Sequence, residues 1–389
     1  LGLLMEYDIV FVGGGLANSL AAYRLKQTRP EVKFLIIEKN ATLGGEHTWS
    51  FHDTDIARES NDWLQPFIVA KWSKQQVKFP ALNRTLNVGY NVIKSRRLHE
   101  IAGAELSDDI LFGKSVRHLA HNQIILSDGT KIISKSVLDG RGWRPDTGLA
   151  LAYQKFVGLE VELKNRHQQE MPVIMDATVP QIDGYRFVYI LPLDDRRLLI
   201  EDTYYSPNSN LDQELIADRV TQYAADKGWE IETVAGLEKG ILPIVLGGDI
   251  RSIWEANENG VGLAGLAAVN FNYTTGYSLP YAVRFAESMS GIEDFAENQL
   301  HDFSRTYSLD LWRRGQFNRL LNRLLFKAAQ TSEERVNIFQ RFYGLSEDLI
   351  CRFYAGNSTR YDKLRILSGK PPVGLVRAIR CLPAQSSFD

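Results

Sequence analysis

The sequence has little cysteine, little net charge and no long apolar run, and each shortage removes a class of function. Of its 389 residues only Cys351 and Cys381 are cysteines, too few for a disulfide framework, and a reducing cytosol fits such usage. Their number and spacing exclude a zinc pattern, and the seven histidines form no H-E-x-x-H element. No metal is therefore expected. Lysine and arginine number 45 against 47 acids, and the basic residues are spread along the chain, so no electrostatic footprint for nucleic acid is present. No apolar stretch reaches the ~18 residues that cross a bilayer. The longest, Ile241 to Leu246 and Val261 to Val269, read as buried strands. No basic segment followed by an apolar one opens the chain, so no signal peptide is expected. Leu1 to Leu4, before Met5, are expected to be a vector-derived leader. What remains is an ordinary globular composition, 44% hydrophobic and 24% charged, long enough for two or three domains with a sizeable core.

Tyr7 to Val12 (YDIVFV) is a short apolar run closed by glycines, the pattern of a buried strand. Gly13, Gly14 and Gly15 predict a tight turn, Leu16 to Gln27 a helix, and Lys33 to Ile37 a second buried strand ended by Glu38. Such a β-turn-α-β unit of roughly thirty residues builds parallel sheets. Lys131 to Leu138 predicts another buried strand, closed by Asp139-Gly140-Arg141-Gly142. From about residue 151 the pattern alternates. Tyr185 to Leu191 and Arg197 to Thr203 flank Leu193-Asp194-Asp195 and predict an antiparallel hairpin. Leu211 to Lys227 predicts an amphipathic helix, Gly260 to Val269 a buried strand, and Gly276 onward a helix. The expected architecture is α/β. A Rossmann-like domain covers 5–150 and 240–295, an antiparallel-sheet substrate domain 151–239, and a helical region 296–389, with part of 50–95 open to either of the first two.

The glycine turn carries the first chemistry. In G-x-G-x-x-G the first glycine makes the turn, the second lets backbone approach a pyrophosphate, and the third permits close helix packing. Gly13 and Gly15 fill the first two places, and Asn18 stands in the third. The strand before it, the helix after it, and Glu38 placed to bond a ribose hydroxyl favour a dinucleotide over an ordinary strand-turn-helix junction. The turn alone does not separate FAD from NAD. The glycine pair in Leu43-Gly44-Gly45-Glu46-His47-Thr48-Trp49-Ser50, following the second strand at once, suits the larger FAD.

The second is acidic. In Arg197-Leu-Leu-Ile-Glu-Asp-Thr203 the carboxylates of Glu201 and Asp202 follow three aliphatic residues. On a strand neighbours face opposite ways, so one carboxylate lies with Leu199 and the other with Ile200. A carboxyl in apolar surroundings has a raised pKa and serves as a general acid near neutrality. The plainer alternative is a strand end whose acids meet solvent.

Assembled, these segments resemble the bacterial lycopene β-cyclases from Tyr7 to about Pro372. The stretches that carry the resemblance are GGGLANS at 13–19, GGEHTWSF at 44–51, VLDGRG at 137–142, IMDATV at 174–179, GYRFVYILPLDDRRLLIEDTYYS at 184–206, TTGYSLP at 274–280 and RILSGKPP at 365–372. The resemblance implies an FAD fold of the aromatic hydroxylase and geranylgeranyl reductase type. It implies a redox-neutral cyclisation of the ψ-ends of lycopene, through γ-carotene to β-carotene, that requires reduced FAD, with NAD(P)H as the electron source. The family's essential acid falls on Glu201, with Asp202 beside it in support. Cofactor contacts are expected from Gly13, Gly14, Gly15, Leu16, Ala17 and Asn18 of the turn and from Glu38 and Gly45. Asp139, Gly140, Thr275, Gly276 and Tyr277 are expected to complete them. One departure stands out: Asn272-Tyr273 occupy the place of the family's His-Pro, near the flavin and the start of the helix expected at Gly276.

A hydrocarbon substrate is held by an apolar tunnel. Trp49, Phe51, Tyr185, Phe187 and Tyr189 are candidates to line it, each with core packing as the alternative. Lycopene and γ-carotene reside in the bilayer, so a peripheral location on the inner membrane of a bacterial cytoplasm is expected, with other carotenoid-pathway enzymes admitted as partners. The segment Trp312 to Ala329 offers Phe317, Leu320, Leu321, Leu324 and Leu325 on one stripe, with Arg319, Arg323 and Lys327 on another face. Such a helix either lies in the headgroup plane or packs on the protein body. Two other functions fit the same fold: a flavin monooxygenase or halogenase, and a non-catalytic isoprenoid-binding escort.

Overall fold

A computed structural model describes residues 6–144, 148–257, 260–296, 298–369 and 373–381. The expected leader at Leu1 to Leu4 and the last three residues of the RILSGKPP motif lie outside these. Ile9, Val10, Phe11 and Val12 are at most 1% exposed because the strand Glu6–Val12 is central in its sheet. Ile9 and Phe11 face the helix side with Leu20 and Phe285, while Val10 and Val12 face the other side with Ile37 and Val137. The strand pairs in parallel with Phe34–Glu38 on one side and Lys131–Asp139 on the other. The turn after it leads into the helix Leu16–Thr28. This is the expected Rossmann-like unit, extended by the antiparallel strands Gln123–Leu126 and Val116–Ala120.

A second seven-stranded sheet runs in the order Ile231–Gly248, Leu149–Leu163, Arg197–Ser206, Tyr185–Pro192, Val173–Asp176, Gln75–Phe79 and Leu82–Leu86. The expected hairpin is its centre, with Tyr189 opposite Glu201 and Phe187 opposite Thr203. The pleat sends Leu198 and Ile200 toward the helix Gln213–Asp226, where they pack on Val220 and Tyr223. Leu199 and Tyr205 face the opposite side, toward Phe187 and Ile244. Thr48–His52, Tyr90–Lys94 and Ile68–Trp72 form a separate three-stranded sheet with Tyr90–Lys94 at its centre.

The structure corrects three expectations. Gly260 to Val269 is a strand only at Gly262–Leu263, and a 3-10 turn replaces it at Gly265–Ala268, where Gly265 at φ +59° and Val269 at φ +58° leave the extended region. The following helix starts at Leu279, not Gly276, which has φ +73° and cannot continue a right-handed helix. Trp312 to Ala329 is not one helix: it breaks at Gly315 between Gln299–Arg314 and Gln316–Arg323 and continues as a π turn at Leu324–Ala328. Arg319 and Arg323 are only 8% and 5% exposed. Arg319 Nη1 donates to the Trp312 carbonyl at 2.7 Å, and Arg323 donates to Cys381 and Leu246 carbonyls at 2.9 and 2.8 Å. Arg323 so committed ties the C-terminal region to the sheet, Arg319 ties its helix to the preceding one, and neither offers its charge to headgroups.

Candidate active site

The turn between the first strand and first helix is built to receive an anion. Gly13 has φ +89°, which only glycine adopts cheaply. A side chain on Gly14 would meet Leu43 at 2.5 Å. Gly15 is different: beyond its Cβ position the nearest atom is the Gly140 carbonyl at 3.6 Å, and the space opens into the cavity. The helix Leu16–Thr28 has no side-chain cap and no acid in its first turn, so its first amides and the positive end of its dipole face that space. Leu16 and Ala17 line it. Glu38 lines it too, held by the Gly14 and Asn40 amides at 2.7 and 2.8 Å. Backbone amides, a glycine that clears the approach and a carboxylate at the next strand end fit the pyrophosphate and ribose of a dinucleotide.

Two of the expected contacts serve the turn from behind. Asn18, fully buried, does not line the cavity; its amide donates to the Val12 and Gly13 carbonyls at 3.2 and 2.9 Å. It replaces the third glycine by bonding the turn, and Gly140 compensates, since a side chain there would strike Asn18 at 2.6 Å. Asp139 is likewise fully buried and absent from the lining. Its carboxylate binds Arg141 at 2.8 and 2.9 Å and also Arg144. Arg141, which local pattern did not single out, lines the cavity beside Gly13 and adds a fixed cation there.

Across the cavity, Thr275, Gly276 and Tyr277 line the wall on the loop before the helix Leu279–Ser290. Asn272 organises that loop without reaching the cavity: its side-chain oxygen accepts from the Thr274 and Thr275 amides at 3.0 and 3.2 Å. Tyr273 is also behind the wall, packed on Phe271 and Trp312. Asn270 and Gln154 do line the cavity. Both polar atoms of the Asn270 amide and the Gln154 amide oxygen are buried without a partner within the protein. Buried amides in that state cost free energy unless something bonds them. A flavin ring system, with its alternating donors and acceptors, fits this demand.

Glu201 lines the same cavity. Its neighbours on the two flanking strands are Tyr189 and Gly158. Burial pushes its carboxyl up to about 8, against a hydrogen bond from Thr203 at 2.6 Å that favours the charged form and with help from Glu238 and Asp202. Glu238 was not foreseen. It lies opposite Gly158 from the other side, accepts from Thr48 at 2.6 Å, and is itself raised, first by burial. Only strand pairing brings these two carboxylates near each other, with a glycine between. Asp202 does not join them. It points to the helix side, fully buried, where Arg186 donates at 2.8 Å and Tyr204 at 2.6 Å.

The rest of the cavity, about 880 Å³ in all, is walled by aromatic and aliphatic side chains such as Phe187, Tyr205, Leu325, Phe339 and Phe342. Of the five aromatic candidates Trp49, Phe187 and Tyr189 line it, whereas Phe51 and Tyr185 are core residues at most 1% exposed. Gly45 lines it at φ +67°. Hydroxyls run from Ser50 to Tyr189 (2.7 Å), to Tyr90 (3.1 Å) and to Tyr277 (2.7 Å). Burial raises all three tyrosines well above 10, so the chain from the Glu201 neighbour to the loop stays protonated.

The comparisons with known proteins agree with this geometry. Residues 8–380 match the lycopene cyclase protein family. The lycopene beta-cyclase of Pantoea ananas is 42% identical over 97% of this chain and 98% of its own length. That of Paracoccus sp. (strain N81106 / MBIC 01143) is 42% identical over 97% and 98%. Among solved structures, a geranylgeranyl bacteriochlorophyll reductase-like protein from Thermoplasma acidophilum is similar at a TM-score of 0.60, covering 96% of this chain and 98% of its own, with 13% identity. HpxO of Klebsiella pneumoniae, complexed with FAD and uric acid, is similar at 0.59, covering 91% and 96%, with 14% identity. Those two likenesses show the fold. The match along the whole sequence shows more: the chain belongs to the lycopene cyclase family of enzymes.

Proposed function

We propose that the protein is a lycopene β-cyclase that closes the ψ-ends of lycopene and γ-carotene into β-ionone rings, with bound FAD in its reduced form and NAD(P)H as the source of electrons. The observation that carries this reading is Glu201, a carboxyl held protonated at neutral pH inside an apolar, aromatic-walled cavity. Such a group gives a proton to a terminal double bond, and the tertiary cation so formed is attacked by the next double bond to close a six-membered ring. Phe187, Tyr189 and Tyr205 line the same cavity as Glu201, and aromatic faces stabilise positive charge. One proton enters and one leaves, so ionised Glu201 can take back the ring proton and no net oxidation occurs. Gly13 to Ala17 with Arg141 would hold the pyrophosphate of FAD, and Asn270, Gln154 and the Thr275–Tyr277 loop its ring system. When bound in its reduced, anionic form, FAD would supply negative charge that stabilises the developing cation.

The substrate's home in the bilayer supports peripheral attachment to the cytoplasmic membrane, and no described helix is long and apolar enough to cross it. The test is to incubate pure protein with FAD, NADPH and lycopene-bearing liposomes without oxygen and to separate the carotenoids. Ring-bearing products without oxygen consumption are expected. Unchanged lycopene, with NADPH oxidation that requires oxygen, would replace the cyclase with a monooxygenase.

A further inference from the structure

Ten large apolar side chains are exposed among the described residues, and five of them fall on two short helices near the C-terminus. On Arg360–Leu367 these are Tyr361, Leu364 and Leu367, at 72%, 66% and 44% exposed; on Leu375–Arg380 they are Val376 and Ile379, at 64% and 54%. A spacing of three residues sets each group along one side of its helix. Single exposed leucines need no explanation, but a concentration like this does.

The same helices also face inward. Ile366 and Leu367 of the first, Ala378 of the second, and Val373 between them line the cavity that contains Glu201. Charge along this stretch is mostly of one sign, and Arg377 is paired with Glu334. From Arg360 to Cys381 the sequence holds six Lys or Arg and a single acid, Asp362. That acid is fully buried and bonded to Arg352 at 2.7 Å. Arg360, Arg365 and Arg380 are exposed. A second exposed apolar group, Val234, Leu237 and Ile241 on the edge strand Ile231–Gly248, has mixed charge around it, Glu232 and Lys239 both being exposed.

We propose that the outer face of these two helices docks on a bilayer with anionic headgroups and that the cavity opens to the bilayer there. Tyr361, Leu364, Val376 and Ile379 enter the acyl boundary while the arginines meet lipid phosphates. A hydrocarbon then moves from the membrane into the cavity past Leu367 and Ala378 without crossing water, which rests on the reading of lycopene as substrate. The buried arginines of Gln316–Arg323 have no part in it.

Full-length protein loaded with FAD is floated with phosphatidylglycerol/phosphatidylcholine vesicles, and turnover is measured on lycopene carried in vesicles and in detergent micelles. Leu364→Ser, Val376→Ser and Ile379→Ser combined touch no cavity-lining residue, and a melting curve checks the fold. The expected result is a partition coefficient lower by roughly tenfold or more, a comparable fall in turnover from vesicles, and unchanged turnover from micelles. Arg360→Gln with Arg365→Gln and Arg380→Gln should abolish the preference for phosphatidylglycerol and its salt sensitivity. Unchanged partition in both variants, or an equal loss from Leu237→Ser alone, overturns the docking face. Lost binding with full turnover of vesicle-borne lycopene overturns the opening. Wild-type protein that binds vesicles yet cyclises nothing in micelles would refute the substrate and leave the docking face standing.

Discussion

Replacing Glu201 by glutamine keeps the shape of the side chain and removes its ionisable proton. The unfolded chain releases that proton near its ordinary pKa of about 4.5, whereas folded Glu201 keeps it to about 8. Between these values folding takes up a proton, so the stability of the wild type falls as pH rises through that window and is level outside it. At about 1.36 kcal/mol per pH unit, the whole gap corresponds to about 5 kcal/mol, and to about 3 kcal/mol by pH 7. Glutamine has no such window. Glu201→Gln should therefore be more stable than the wild type by about 3 kcal/mol at pH 7 and about 5 at pH 9, and no more stable near pH 4.5. Its cyclisation rate should fall by ~10²–10⁴ with flavin content unchanged, and wild-type turnover should decline as pH rises through about 8. Denaturant melts of both proteins across this pH range, with a pH–rate profile, test each part. A stability difference independent of pH, or substantial turnover in Glu201→Gln, would show that this carboxyl is neither held neutral nor the proton donor.

Four further outcomes follow from the site. A Cβ on Gly15 meets nothing nearer than the Gly140 carbonyl at 3.6 Å, so Gly15→Val should fold and melt normally yet lose its flavin absorbance. Asp202→Asn leaves Arg186 buried without its counter-charge, which should cost about 3–5 kcal/mol in a denaturant melt while the pH–rate midpoint stays in place. Asn272→Ala frees two loop amides and should cost about 1–3 kcal/mol; Asn272→His with Tyr273→Pro should alter turnover or the ratio of one-ring to two-ring product, read by chromatography. Arg323→Gln, which loses donors to the Leu246 and Cys381 carbonyls, should lower the melting temperature in a thermal melt.

The sequence by itself determined what depends on neighbours along the chain. Tyr7 to Glu38 is legible because an apolar strand, a glycine turn and a helix are local patterns, and the alternation around Leu199, Ile200, Glu201 and Asp202 foretells that the two acids part. Long motif matches identified the family from the same letters. Tertiary structure decided everything that rests on pairing across distance. Gly158 sits between Glu201 and Glu238 only because three strands align in register. Asn18 can stand in for a glycine only because Gly140, more than a hundred residues away, leaves room for it. Arg319 and Arg323 read as a basic helix face on a helical wheel, yet backbone carbonyls capture them, that of Trp312 for Arg319 and those of Leu246 and Cys381 for Arg323. In the docking face proposed above, the exposed Arg360, Arg365 and Arg380 take that role, on helices that pattern alone could not orient. Periodicity records which side of a helix is apolar; which side is covered depends on what the rest of the chain packs against it.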